Sequence, residues 1–411
     1  MKDSSKVSFN HATIGSGNNN GGGIYVAGGT VTIGTSSSHS ASICNNTGSS
    51  RGGGIYIAGG TVNLYGSVKS NFCNNSCGGV EIENAGTIKT YSGSTIENNS
   101  TAAGGYTGQG VQLSHSDATL QMFGGSIKTN GSYDVGFTNG TVEMQGNVQA
   151  GNVFVNNKQI KISDALTSPT PAATIIPINN SSPNYSPTVT VLSDDNAGSL
   201  VAAACAKFAV ADDADGNKWC VAADGYLCRL LQPDTSAVTI IDPAQPWVVT
   251  SSNSKEITLK LQNAFSPTFN VTLRNLNKPF ESDCSALYIQ NNVTSSSFPP
   301  LCMGVNLILE GDNTLIGSHH GGIQLRSNSY TDIILTFDTK TTATLTFDGK
   351  PGTDGGEPTS LCVESGGPII GIASGLTFSG SIGNTTYTDA TAFFTAARST
   401  TQSCTFTITR P

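Results

Sequence analysis

The chain has 411 residues, a net charge of −8 and only 12% charged side chains. That length allows two or three domains, and an acidic balance without a basic run gives nucleic acid no electrostatic footprint. No stretch approaches the roughly 20 apolar residues of a membrane-spanning helix, and 48 glycines point to a turn-dense, all-β chain.

In chain order, Met1-Lys2-Asp3-Ser4-Ser5 lacks the apolar core of a signal peptide, so the natural start reads as removed or absent. Val7-Ser8-Phe9-Asn10 reads as part of a first coil. The segment Gly21-Gly22-Gly23-Ile24-Tyr25-Val26-Ala27-Gly28-Gly29-Thr30-Val31-Thr32-Ile33 is then written again from Gly52 to Leu64. A near-identical segment returning at that interval is a solenoid signature. Weaker copies start at Val80, Val111, Val135 and Val153.

Each copy opens with an apolar pair separated by one residue, from Ile24/Val26 and Ile55/Ile57 to Val153/Val155, which is the alternation of a half-buried strand. A second strand follows (Val31/Ile33, Val62/Leu64, Leu120/Met122), with Thr32, Asn63, Lys89, Gln121, Glu143 and Lys161 pointing outward. A third inward position falls at Ile43, Phe72, Ile96, Ile127 and Val148. Three short strands per repeat, joined by tight turns, make a parallel β-helix over residues 1–165. Asn45-Asn46, Asn74-Asn75 and Asn98-Asn99 each start two residues past the third position. They are expected to turn corners and to stack their amides from coil to coil.

Ten cysteines and several Asn-x-Ser/Thr sequences lean towards an oxidising, extracytoplasmic setting. On this alignment Cys44 and Cys73 stack close enough for a disulfide, and Cys73 with Cys77 is the local alternative. Cys205, Cys220, Cys228, Cys284, Cys302, Cys362 and Cys404 are further disulfide candidates.

Residues 166–232 read as a linker and cap, rich in proline at first, with a helix from Ala197 to Lys207 and a short meander around Phe208, Trp219 and Tyr226. Residues 233–411 carry short strands at close spacing, with a possible helix over Ala390–Ala397. A second, less regular β-helix is expected there, with a β-sandwich as the alternative.

The Gly-Gly-Gly-Ile segments, with Phe72-Cys73-Asn74-Asn75, resemble the GGx-Ile and Phe-x-x-Asn repeats of polymorphic outer-membrane protein and related bacterial right-handed β-helix surface proteins. The resemblance covers the first 165 residues or so and implies a right-handed parallel β-helix. That family's carboxy-terminal membrane barrel has no counterpart here. The stretch from Ala286-Leu287-Tyr288-Ile289 through Val305 to Leu315 and Ile323 resembles repeats of bacterial extracellular proteins labelled as carbohydrate-binding.

For chemistry, Tyr25 and Tyr56 are expected as stacked outward neighbours in line with Glu81 and Gln112, a surface suited to a sugar ring; stacking for stability alone is the plainer account. Glu81 and Glu83 share a face and read as solvated. Asp212, Asp213 and Asp215 offer oxygen ligands for calcium, or form an Asp-rich turn; no other cofactor is implied. His319-His320 reads as loop polarity. The Thr30, Thr61, Thr87, Thr119 and Thr141 series raises an ice-binding ladder as a remote option. The expectation is an extracellular or cell-surface rod that contacts a host or environmental glycan or a surface protein without catalysis. The alternatives are a polysaccharide lyase or glycoside hydrolase, favoured if Arg326, Asp332, Asp338 and Asp348 share a cleft, and a pure spacer that binds nothing.

Overall fold

The structure is a computed structural model. It describes residues 1–2, 4–12, 19–36, 40–104, 107–180, 182–231, 238–240, 247–249, 257–261, 268–278, 285–291, 301–317, 321–326, 331–349, 359–364 and 369–411. Two compact units are present, Met1–Leu227 and Cys228–Pro411.

The first unit is a parallel β-helix with three long faces. Its first face stacks Ile24–Val26, Ile55–Ile57, Val80–Ile82, Val111–Leu113, Val135–Phe137 and Asn152–Asn156, all parallel and in register. The second runs from Thr30–Ile33 through Thr61–Leu64, Thr87–Thr90 and Thr119–Met122 to Thr141–Gly146 and Ile160–Leu166. Alternation of apolar and polar residues sends Val62, Ile88, Leu120 and Val142 into a dry core and leaves the Thr32 to Lys161 row outside. Thr90 takes an inward place otherwise held by Leu64 and Met122, and its hydroxyl is satisfied by the Gly124 carbonyl at 2.9 Å.

The third face stacks Lys6–Ser8, Ser42–Cys44, Ser67–Lys69, Thr95–Glu97, Gly125–Lys128 and Val148–Ala150. Here the register corrects the sequence alignment. Val68, not Phe72, is the inward partner of Ile43 and Ile96, and Ala150 rather than Val148 faces Ile127. Phe72 and Cys73 belong to a small fourth sheet with Thr47–Gly48 and Ser100–Thr101.

The stacked asparagines are therefore Asn10, Asn46, Asn71, Asn99 and Asn130, each three residues past an inward apolar side chain. The Asn71 amide nitrogen donates to Asn99 Oδ1 at 2.9 Å and to the Ile43 carbonyl at 3.0 Å, while its own Oδ1 accepts from Asn46 N and Nδ2. Asn46 and Asn99 repeat this pattern, and the Asp134 carboxylate ends the ladder by accepting from Asn130 N at 2.8 Å. The residue before each ladder asparagine is left-handed: Phe9, Asn45, Ser70, Asn98 and Thr129 have φ between 55° and 59°. The ladder fixes those corners despite the usual cost of that region. At another corner only glycine fits, since a Cβ on Gly53 would lie 2.2 Å from the Phe72 carbonyl oxygen of the next coil.

The solenoid continues past residue 165. Ala173–Asn179, in the stretch read as linker, pairs in parallel with Asn152–Asn156 and with Phe208–Val210. The expected helix forms as Ser199–Ala204 with a 3-10 turn to Lys207, and Asp194 accepts from the backbone nitrogens of Asn196, Gly198 and Val201 at its start. Val201, Ala204, Phe208 and Trp219 belong to the same continuous core.

The second unit repeats the principle. One parallel stack includes Trp247–Val249, Thr268–Arg274, the first part of Leu301–Gly317, Thr331–Asp338 and Ile369–Ile372. Another holds Val238–Ile240, Ile257–Leu261, Leu287–Asn291, Ile323–Arg326 and Leu361–Glu364. A third pairs the latter part of Leu301–Gly317 with Thr342–Gly349. This parallel pairing fits a second β-helix and not a sandwich. Cys404–Thr409 and Thr377–Ile382 then add antiparallel strands, and the helix Ala390–Ala397, N-capped by Asp389, packs Phe393 and Phe394 against Phe378 and Phe406.

Candidate ligand-contact site

The row Tyr25, Tyr56, Glu81, Gln112 exists as aligned: each residue is the register partner of the next on the outward side of the first face. Its exposure differs from the expectation. Tyr25 is 54% exposed, but Tyr56, Glu81 and Gln112 are only 4%, 2% and 6% exposed. Loops between coils fold back over them: Gly108 N donates to Gln112 Oε1 at 2.7 Å, and Ser76 bonds the Glu81 carboxylate. Row positions beyond are closed as well, because Gly136 sits under the ring of Phe154, which is itself buried.

Glu81 and Glu83 do not form a solvated face. Arg51 pairs with Glu83 and lies 3.9 Å from Glu81 Oε1. Tyr56 Oη donates to Glu83 Oε2 at 2.6 Å, and Ser114 Oγ to Glu81 Oε1 at 3.3 Å. Glu81 Oε2 is buried without a hydrogen-bond partner. Burial pushes the Glu81 carboxyl up from its ordinary value, against the opposing pull of Ser76, Arg51 and Ser114. Beneath it, burial chiefly, then the nearby Glu81, raises the Cys77 thiol well above the usual range. The result is a closed polar cluster with one open end, the Tyr25 ring, whose centroid is 5.4 Å from that of Tyr56 at a 37° tilt.

The corrected register separates Cys44, opposite Lys69, from Cys73, opposite Gly48 and Thr101, so they are not stacked neighbours. Cys44, Cys73, Cys77 and Cys404 carry free thiols. Cys205, Cys220 and Cys228 are buried, Cys362 is half-buried, and Cys284 and the Cys302 side chain lie outside the described residues.

In the cap, Asp213 Oδ1 accepts from Asn217 N at 2.8 Å and Asp215 N at 3.0 Å, and its Oδ2 from Trp219 Nε1 at 2.9 Å. Partial desolvation would raise this carboxyl, but those donors together hold it down at about 2. The Asp213 oxygens are committed to the turn and Asp212 is paired with Lys218, and among the described residues no group of three or more His, Cys, Asp or Glu is arranged for a metal ion.

The four residues whose sharing of a cleft would favour an enzyme are spread over three strands, Ile323–Arg326, Thr331–Asp338 and Thr342–Gly349. Asp338 accepts from Arg410 Nη2 at 2.7 Å, whereas Arg326 is in register with Gln290 and Glu364 in a different sheet. Asp348 is buried on a third strand, and the Asp332 side chain, His319 and His320 lie outside the described residues.

Two outward features escaped the sequence analysis. Tyr65, Tyr91 and Phe123 each follow the last residue of a second strand and stack up the corner, with centroids 4.3 Å and then 5.5 Å apart. Both faces of Tyr91 are taken up by its neighbours, and Tyr65 and Phe123 each have one face covered. In the second unit Thr342, Thr344 and Thr346 bond hydroxyl to hydroxyl with Thr409, Thr407 and Thr405 at 3.2, 3.2 and 3.0 Å. The Thr-x-Thr-x-Thr runs at 342–346 and 405–409 were the available signal for this face.

No family model, curated protein or solved structure matches the chain. Among the described residues no helix is long and apolar enough to cross a membrane.

Proposed function

We propose that the chain is a rigid β-helical scaffold, outside the cell or at its surface, that contacts a glycan without catalysing its cleavage; a surface protein is the other partner of this kind. The observation that carries the reading is Tyr25. A large aromatic ring stands 54% exposed on a rigid strand, backed by Tyr56, whose hydroxyl is fixed by Glu83. An exposed ring held in one orientation costs little entropy when a sugar stacks on it. The resemblance of the repeats to bacterial surface β-helices supports the same setting.

A polysaccharide-cleaving enzyme is the second reading, because a buried carboxyl with a raised pKa two residues from an ion-paired one is a pattern used for acid and base roles. The 2% exposure of Glu81 speaks against it, since a glycosidic oxygen must reach the acid. The test is native affinity electrophoresis through gels cast with bacterial, plant and mucin polysaccharides, followed by sizing of each polymer. Retardation with intact polymer is the expected result. Shortened polymer would establish the enzyme, and no effect on either would remove glycan contact.

A further inference from the structure

In the second unit, Gln324 on Ile323–Arg326 and Cys362 on Leu361–Glu364 are direct register partners in adjacent parallel strands. Ile323, Leu325 and Leu361 belong to the core, so alternation puts Gln324 and Cys362 side by side on the opposite face of the sheet. Neighbouring strands lie about 4.8 Å apart, which brings a glutamine carbonyl carbon within reach of a cysteine sulfur. Although its strand position points away from the core, Gln324 is only 5% exposed. Its Oε1 accepts from Ser285 Oγ, which is itself buried, at 2.6 Å. Cys362 carries a thiol and is half-buried. A primary amide held out of water, with a hydroxyl drawing on its oxygen and a thiol on the next strand, is an acyl donor beside a nucleophile.

We propose that Gln324 and Cys362 join as an internal thioester, which makes this sheet a site of covalent attachment to a primary amine. The Cys362 sulfur adds to Gln324 Cδ while Ser285 Oγ holds the oxygen as it takes up negative charge. The C–N bond then breaks, the thiol proton leaves with the nitrogen, and one ammonia is released for each thioester formed. No oxidant or reductant takes part. Between a free thiol and a free amide in water this exchange runs uphill. Here it is drawn forward because ammonia departs while sulfur and carbonyl stay held together. Burial of Gln324 keeps water from the acyl group, and half-buried Cys362 leaves an approach from its own side. Attack by an amine forms an amide at Gln324 Cδ and returns the Cys362 thiol. This attachment does not depend on the Tyr25 contact.

Intact-mass spectrometry of the full chain, denatured in acid with a phosphine reductant so that no disulfide contributes, tests this. The parent is expected to weigh one ammonia less than its sequence, with Gln324 and Cys362 recovered in one cross-linked peptide. Methylamine given to the native chain is expected to add once, at Gln324, and to open Cys362 to iodoacetamide. Cys362→Ala is expected to have its full sequence mass and to take up no methylamine at Gln324. A parent of full sequence mass, a deficit that persists in Cys362→Ala, or a thioester that methylamine does not open would overturn the proposal.

Discussion

Replacing Asn99 by Asp changes one buried atom and tests why the coils keep their register. The Asn99 amide nitrogen donates to the Val68 carbonyl at 3.0 Å and to Asn130 Oδ1 at 2.9 Å, and its Oδ1 accepts from Asn71 N and Nδ2. The aspartate keeps the accepting side and turns the donating side into an oxygen facing two oxygens. The Val68 carbonyl and Asn130 Oδ1 each lose the amide donor, Asn130 Oδ1 keeping the Asn99 backbone nitrogen at 3.0 Å, and each then faces an oxygen; at about 1–3 kcal/mol for each acceptor the first unit is expected to lose about 4 kcal/mol. That is a large share of the roughly 5–15 kcal/mol that holds a domain folded. The carboxyl is disfavoured in its charged form, so its folded pKa lies above its unfolded value. The defect is therefore smallest below the unfolded pKa and grows as pH rises through the folded one. The control is Asn98→Gly at the exposed neighbour, where φ is 55° and glycine is at ease; it is expected to change stability by no more than about 0.5 kcal/mol. Calorimetry and urea titration at pH 7 and at pH 4 measure both variants. If Asn99→Asp is as mild as Asn98→Gly, the ladder does not hold the corner as described.

Other outcomes follow from the same geometry. Glu81→Gln removes a buried carboxylate whose pKa is raised, so it is expected to match or exceed the parent in stability at pH 7. It also abolishes a contribution that the parent holds below pH 4.5 and loses as pH rises through the raised folded value; melting temperature against pH reads both effects. Asp213, held at about 2, contributes stability to the cap above its ordinary 3.8 that is lost as pH falls through about 2, so Trp219 fluorescence should report a cap transition in that window and Asp213→Asn should remove it. Thiol titration without reductant is expected to find Cys44, Cys73, Cys77 and Cys404 reactive in denaturant, with Cys77 silent in the native protein; fewer than four thiols in denaturant would contradict the free assignments.

Much of the architecture was legible because the repeats are written in the core itself. Ile24/Val26 and Ile55/Ile57 have no other use for their alternation than a strand with one dry face, and the outward row Thr32 to Lys161 follows from it. The third face was misread for a physical reason. Cys44-Asn45-Asn46 and Cys73-Asn74-Asn75 look alike, but the ladder needs only one asparagine after a left-handed residue, and Ser70-Asn71 supplies it without an Asn pair. The burial of Tyr56, Glu81 and Gln112 was hidden because it depends on loops from neighbouring coils, such as the Gly108 nitrogen over Gln112, and strand alternation tells only which side a residue faces. The pairing of Asp338 with Arg410 joins residues 72 positions apart, with nothing local to mark it.

The proposed glycan contact rests on Tyr25, the exposed end of an otherwise buried row on the first β-helix, and retention on immobilised polysaccharides by the parent and by Tyr25→Ala tests it most directly. The account expects at least one polymer to retain the parent, and expects Tyr25→Ala to elute about tenfold more readily with an unchanged melting temperature, the loss of roughly 1.4 kcal/mol that one stacked ring supplies. Equal retention of both proteins would contradict it.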